Sequence, residues 1–192
     1  MTGRTHDLAA FATLAAVFVA SPLREMSIAT AVTAVFANMI GGLLPDIDQE
    51  GSDFWDKIRG GDILDEVVTP ILGGHRNLSH SLLGLGVFYW LSWQLLGYIS
   101  RFLIVDQQIV FIAFIIGLAS HIIADMLTRE GVPLLYPWKK KFGIPPIKLM
   151  RIKTNSWVER LFVFPGLLVF TGWILITHKD KLELFVKQYL KF

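Results

Sequence analysis

Five stretches of nearly unbroken apolar residues, at positions 8–23, 28–44, 82–99, 109–127 and 161–177, leave few folds open to this chain. Crossing the hydrocarbon core of a bilayer takes about 20 residues, within a range near 17–25. The last three blocks meet that length. The first is short and the second is Ala-rich, so these two read either as spans or as a shallow helical pair. Backbone exposed to lipid has to satisfy its own hydrogen bonds, and the blocks are too long for barrel strands, so they are helices. The expected fold class is all-α, an integral membrane helical bundle of about five helices forming one domain over 1–192.

Composition agrees with that reading and narrows the chemistry. Charged residues make up 18% of the chain and hydrophobic ones 53%, whereas a soluble domain carries roughly 25% charged residues. The chain has no cysteine, which excludes disulfide scaffolds, thiolate-bound zinc and thiol catalysis. Any metal has to be held by His, Asp, Glu or backbone oxygen. The first block has an early cation, Arg4, and Ala20 at a possible cleavage point, but bulky Phe18 stands where a signal peptide needs a small residue. It reads as a retained helix. With five crossings, twelve Lys and Arg lie on the side of the N-terminus and the 45–81 and 128–160 loops, against six on the other. The positive-inside rule puts the first side in the cytoplasm. Trp138 beside Lys139, Lys140 and Lys141 suits the headgroup layer, and a short surface helix is expected around 63–68.

Seven ionisable side chains gather on that same side. His6 precedes the first block; Asp46 and Asp48 follow the second; His75 and His80 lead into the third; His121 and Asp125 close the fourth. None of them was used to derive the topology, so their convergence is an independent observation. His121 and Asp125 stand four apart, which stacks them on one helical face where they can grip an ion or each other. Asp46 and Asp48 follow Pro45; in an extended stretch two carboxylates two residues apart point the same way. Asn77 or Ser79 is the expected cap of the third helix, with His75 before it and His80 in its first turns. Each feature alone has an ordinary reading as a solvated loop start or a structural hydrogen bond. Together they favour a metal centre, because buried charge without a partner is costly. Imidazole and carboxylate suit Zn, Mn or Fe(II), with Mg also possible, and seven donors suit two ions better than one. His178 reads instead as a residue near a helix C-terminus.

The segments Leu44-Pro45-Asp46-Ile47-Asp48, Gly74-His75-Arg76-Asn77-Leu78-Ser79-His80-Ser81, Gly117-Leu118-Ala119-Ser120-His121-Ile122-Ile123-Ala124-Asp125 and Gly131-Val132-Pro133-Leu134-Leu135-Tyr136-Pro137 resemble, in this order, the YdjM-type bacterial inner-membrane proteins. That family is described as LexA-regulated, membrane-bound and metal-dependent hydrolase-like. The resemblance runs from His6 to about Arg160 and implies that His6, Asp46, Asp48, His75, His80, His121 and Asp125 belong to a metal site. It adds Glu159, which spacing alone reads as a surface residue. The family's grouping with zinc-dependent phospholipase C-like helical proteins further suggests phosphoester hydrolysis, by analogy of fold.

The function these readings support is a metal-dependent hydrolase facing the cytoplasm and acting on a lipid ester or phosphoester through metal-activated water. Asp48 or Glu159, where not fully used in ligation, is the expected general base. Arg76, Arg129 and Lys153 are candidates to hold a phosphate oxygen, or simply sidedness charges. The bilayer and a lipid-like substrate are the expected partners, and no motif for nucleic acid is present. The alternative is a metal-ion carrier or sensor. A carrier places its ligands near the bilayer midplane, with Asn38 and Gln94 as the polar residues available for a path.

Overall fold

The computed structural model describes residues 1–48, 55, 66, 77–102, 104–138 and 140–191. The helix expected around 63–68 therefore lies outside the described residues, except for Glu66. Helix α1 spans Gly3–Ala20, and the short strand β1, Met26–Ser27, leads into α2, Ile28–Leu43. A 3₁₀ turn over Leu44–Asp48 closes α2; α3 is Leu82–Ile99 and α4 is Gln107–Met126. A π-helical turn over Glu159–Val163 opens α5, Phe164–Thr177, and α6, Lys179–Leu184, leads through a last π turn to β2, Leu190–Lys191.

Helix starts are written in the sequence as side-chain caps. Ser27, Ser81 and Asp106 accept hydrogen bonds from the backbone N–H of Thr30, Gly84 and Ile109, each at 3.1 Å. Such caps satisfy donors that have no partner inside the first turn. The cap of α3 is thus Ser81, rather than the expected Asn77 or Ser79. Those two residues sit one turn earlier, where their groups serve the site described below.

Among the described residues, four segments are long and apolar enough to cross a membrane: Ile28–Asp48, Leu82–Ile99, Gln107–Met126 and Glu159–Thr177. The first block does form a helix, α1, but Arg4, His6 and Asp7 in its opening turns keep it out of that group. Its 18 residues still reach about 27 Å at 1.5 Å per residue. Thr2, just before it, bonds Glu159 at the start of α5, and Phe18 stacks edge-on against Phe185 beyond α6. At that far end the Lys181 ammonium donates to the carbonyls of Val19 and Ser21, both at 2.6 Å. Helix α1 therefore runs the length of the bundle alongside α5.

The centre of the bundle is the crossing of α2 and α4. A β-carbon added to Gly41 would run into the carbonyl of Phe114, and one added to Gly117 into the carbonyl of Asn38. Only glycine lets the two backbones come this close, as expected where helices associate in lipid through small residues. Ala34, Val110 and Ala113 form the adjoining core, and Asn38 donates its side-chain N–H to the Ala113 carbonyl at 3.1 Å. Helices α3 and α5 lie outside this pair. Among its residues α3 buries only Gly84, and it exposes Trp90, Leu91 and Leu95. On a soluble protein that surface would be an aggregation hazard; on a membrane protein it is the face that meets lipid. At the end away from Asp125, β1 and β2 pair in parallel, Met26 opposite Leu190.

Candidate metal centre

The α2–α4 crossing fixes the ends of both helices side by side, and the sequence ends each with an ionisable side chain. After Leu43 the chain tightens into the 3₁₀ turn Leu44–Asp48 instead of the expected extended stretch. At three residues per turn, positions i and i+2 diverge by about 240°, so Asp46 and Asp48 face different neighbours. Asp46 Oδ1 points at His121 Nε2, 3.5 Å away, and His80 Nε2, 3.8 Å away. Asp48, fully buried, accepts from the Asn77 N–H at 3.2 Å and from the Ser79 hydroxyl at 2.5 Å.

On α4 the four-residue spacing does what helical geometry requires. His121 and Asp125 emerge from one face, both with no exposed surface, and His121 Nε2 lies 3.8 Å from Asp125 Oδ2. The other ring nitrogen of His121, Nδ1, donates to the Gly42 carbonyl at 2.6 Å. That bond fixes the tautomer and leaves the Nε2 lone pair aimed at the carboxylates. His80 is oriented in the same manner. The single Ser79 proton goes to Asp48, so the Ser79 oxygen accepts from His80 Nδ1–H at 2.8 Å, and His80 Nε2 faces Asp125 Oδ2 at 3.3 Å. Metal-binding imidazoles are held in this way, by a hydrogen bond from the nitrogen that does not ligate. Burial opposes a charge on His80, yet its hydrogen bonds with Asp125 and Asp48 hold its imidazolium above the usual histidine range. The surroundings therefore favour a cation.

Asp46, His80, His121 and Asp125 each offer one donor atom, all within 4.8 Å of one another. Donors about 2.1 Å from a tetrahedral ion lie about 3.4 Å apart, close to the 3.3–3.8 Å of the four imidazole–carboxylate pairs here. His121 Nε2 is buried and makes no hydrogen bond among the described residues. Two imidazoles, two carboxylates and a buried lone pair aimed at their midst fit a divalent ion. Asp46, at 14% exposure, is the one donor of the four that reaches the surface.

The remaining expected residues take other places around this group. The His6 ring stacks on His121, 3.8 Å between centroids, with its Nε2 3.2 Å from Asp125 Oδ1. The Met1 ammonium touches the same oxygen at 2.6 Å. Glu159 stands one step further out. Its carboxylate accepts from Thr2 N–H at 2.7 Å, Thr2 Oγ1 at 3.0 Å and Asn155 N–H at 2.7 Å, and so ties the start of α5 to the start of α1. His75 and Arg76 lie outside the described residues. His178 caps the end of α5, its ring against the Ile174 carbonyl at 3.0 Å.

Sequence reasoning missed Ser79 and the Gly42 carbonyl as orienting groups. Glu159 did carry a local signal, since Ser156-Trp157-Val158-Glu159 has the S-x-x-E spacing of a capping box. Ser156 does sit just before the first helical residue, with its hydroxyl 3.4 Å from Glu159 N. The Gly131-to-Pro137 motif also has a structural task, since the Leu134 carbonyl accepts from Leu82 N–H at 2.9 Å and steadies the start of α3 beside His80.

Comparison with known proteins points the same way as the motifs. Over 167 residues the chain is 30% identical to "Uncharacterized protein YvsG" of Bacillus subtilis (strain 168), an alignment covering 87% of this chain and 89% of that protein. It is 34% identical over 134 residues to "Inner membrane protein YdjM" of Escherichia coli (strain K12), and equally so to its namesake in Shigella flexneri. Those two alignments cover 69% of this chain and 61% of the relatives' own length. No solved structure matches the chain. The model of the family described as "YdjM inner membrane protein" matches residues 1–182, and the chain belongs to that family.

Proposed function

We propose that the protein is a membrane-bound, metal-dependent hydrolase acting on a lipid ester or phosphoester at the cytoplasmic face of the inner membrane. The observation that carries this reading is the meeting of Asp46, His80, His121 and Asp125 within 4.8 Å, at one end of a bundle whose outer helices are apolar. Asp46, His80, His121 and Asp125 would hold a divalent ion, which would supply a bound water acidic enough to ionise near neutral pH. Zinc suits the donor set, and Mn, Fe(II) or Mg suit it too.

The residues of the chain hold and aim these donors. The Gly42 carbonyl and the Ser79–Asp48 pair set the two imidazoles. In this reading Asp48 and Glu159 act mainly by position, Asp48 through His80 and Glu159 by holding Thr2 beside the centre. Asp46, the donor nearest the surface, marks where a substrate approaches. A lipid can reach such a centre laterally without leaving the bilayer. The sequence count of twelve Lys and Arg against six supports the cytoplasmic side. Against a carrier stand the two residues that would have to continue a polar path. Asn38 gives its side-chain N–H to the Ala113 carbonyl inside the α2–α4 crossing, and Gln94 lies away from it on the outer surface of α3, so the two do not form a line.

Metal analysis of detergent-purified protein, followed by incubation of the loaded protein with a bacterial lipid extract, tests the proposal. The expected result is about one equivalent of Zn or Mn, lost in His121→Ala and Asp125→Ala, and new head-group or fatty-acid products from the wild type alone. A folded wild type that takes up neither metal, or that releases no product when loaded, sinks it.

A further inference from the structure

Beside the metal centre, on the same end of the bundle, lies a cavity of about 540 Å³ whose lining includes Arg129, Arg151, Lys153, Ser156, Trp157 and Leu149. One wall grows directly out of α4. The Thr128 hydroxyl donates to the Asp125 carbonyl at 2.8 Å, and Arg129 N–H donates to the Ile152 carbonyl at 2.9 Å. No acidic residue lines the cavity, and among the described residues none of its three cations forms an ion pair with a carboxylate. Arg151 is the telling member. It is 9% exposed, and it is held by the carbonyls of Pro145, at 2.6 Å, and Pro146, at 2.9 Å. Carbonyl dipoles place the guanidinium but do not neutralise it, and a buried charge is costly without a counter-charge. Arg129 and Lys153 stand exposed at the hollow, and with Arg151 in its wall and no carboxylate in its lining they make it electropositive, a setting that attracts an anion.

The rim says which kind of anion. Leu149, Met150 and Trp157 are exposed at 79%, 68% and 66%. Trp157 stands edge-on to the exposed Phe162, 5.9 Å between centroids, and Phe162 and the exposed Leu161 head the Glu159–Thr177 membrane segment. A soluble anion has no use for that apolar apron. A lipid has, because its phosphate can enter the basic hollow while its chains lie along Trp157, Leu161 and Phe162 in the bilayer.

We infer that this cavity binds the phosphate of an anionic membrane phospholipid. As a substrate site it rests on the function proposed above, and it narrows the substrate to a lipid phosphoester; as a binding site it stands on its own residues. Native mass spectrometry of the full-length, detergent-solubilised protein tests it, with phosphatidylglycerol and phosphatidylcholine of matched chains as probes. The wild type is expected to retain phosphatidylglycerol about tenfold better, and the double variant Arg129→Gln/Lys153→Gln to lose that preference. Arg151 is left intact because it braces the wall, and an unchanged gel-filtration profile checks that the double variant is folded. Equal retention of the two lipids by the wild type, a preference kept by the double variant, or displacement of the lipid by excess inorganic phosphate would each overturn the inference. The same measurement on chelator-treated protein separates the two readings. Preferential retention without metal upholds the lipid site whether or not hydrolysis is ever seen, whereas hydrolysis that persists in a double variant blind to head group upholds the enzyme and not the site.

Discussion

His121 meets two needs with its two ring nitrogens: Nδ1 is tied to the Gly42 carbonyl and Nε2 is turned toward two carboxylates. His80 repeats the arrangement through Ser79 and Asp48. Outer partners of this kind typically change metal affinity by 10–100-fold when removed. Ser79→Ala is accordingly expected to weaken Zn binding by about 10–100-fold and to lower stability by about 1–3 kcal/mol, because it takes a hydrogen bond from the buried Asp48 carboxylate. Competition with a chromophoric chelator measures the first quantity and micelle-based thermal unfolding the second; unchanged affinity would mean that Asp48 does not act through Ser79. At this scale the sequence was informative wherever spacing sets direction. His121 and Asp125 had to share a face once they lay on one helix. It was silent where orientation depends on a partner far away in the chain, as with the Gly42 carbonyl, 79 residues from His121. It misled at Asp46 and Asp48, because alternation presumes an extended strand and the chain chose a 3₁₀ turn.

Among the elements, α2 and α4 are set apart by glycines that no other residue could replace at their crossing. Gly117→Leu forces a side chain into the Asn38 carbonyl, and backbone cannot move aside as a side chain can. The expected loss exceeds the roughly 1–3 kcal/mol typical of overpacking, read as a lowered unfolding midpoint in detergent. Gly86, on α3, has open space where a β-carbon would go, so Gly86→Ala is expected to be neutral or stabilising by about 0.5–1 kcal/mol. Equal effects of the two substitutions would contradict the packing described. The apolar blocks gave four of the helices directly, since block length and lipid exposure go together. Helix α1 was harder to read. Its first turns carry Arg4, His6 and Asp7, residues that lower its hydropathy, and of these His6 is turned to the centre. The cap of α3 was misplaced by one turn for a related reason: Asn77, Ser79 and Ser81 are all good caps, and only the fold decides which of them the site takes away.

For the molecule as a whole, every described candidate ligand sits at one end of the bundle, and the strand pair β1–β2 sits at the other. The absence of cysteine makes the orientation easy to measure. Lys140→Cys, in the loop at the metal end, is expected to be shielded from a membrane-impermeant maleimide in intact spheroplasts. Lys179→Cys, at the opposite end, is expected to react. The reverse pattern would put the centre outside the cytoplasm and with it remove the argument from loop cations. Sidedness could be read from the sequence only as a statistical excess of charge, because no single Lys or Arg fixes it.

The α2–α4 crossing has one more consequence, and it concerns how the protein is made. Asp46 is synthesised long before His121 and Asp125, which emerge only with the end of α4, and His80 arrives in between, in the turn that precedes α3. No early fragment of the chain owns more than two of the four donors. The nascent protein therefore cannot trap an ion prematurely. A chain that inserts with one helix missing or inverted ends up without a complete set. An ion that needs all four donors would be bound only by molecules in which α2, α3 and α4 have all reached their proper partners in the bilayer.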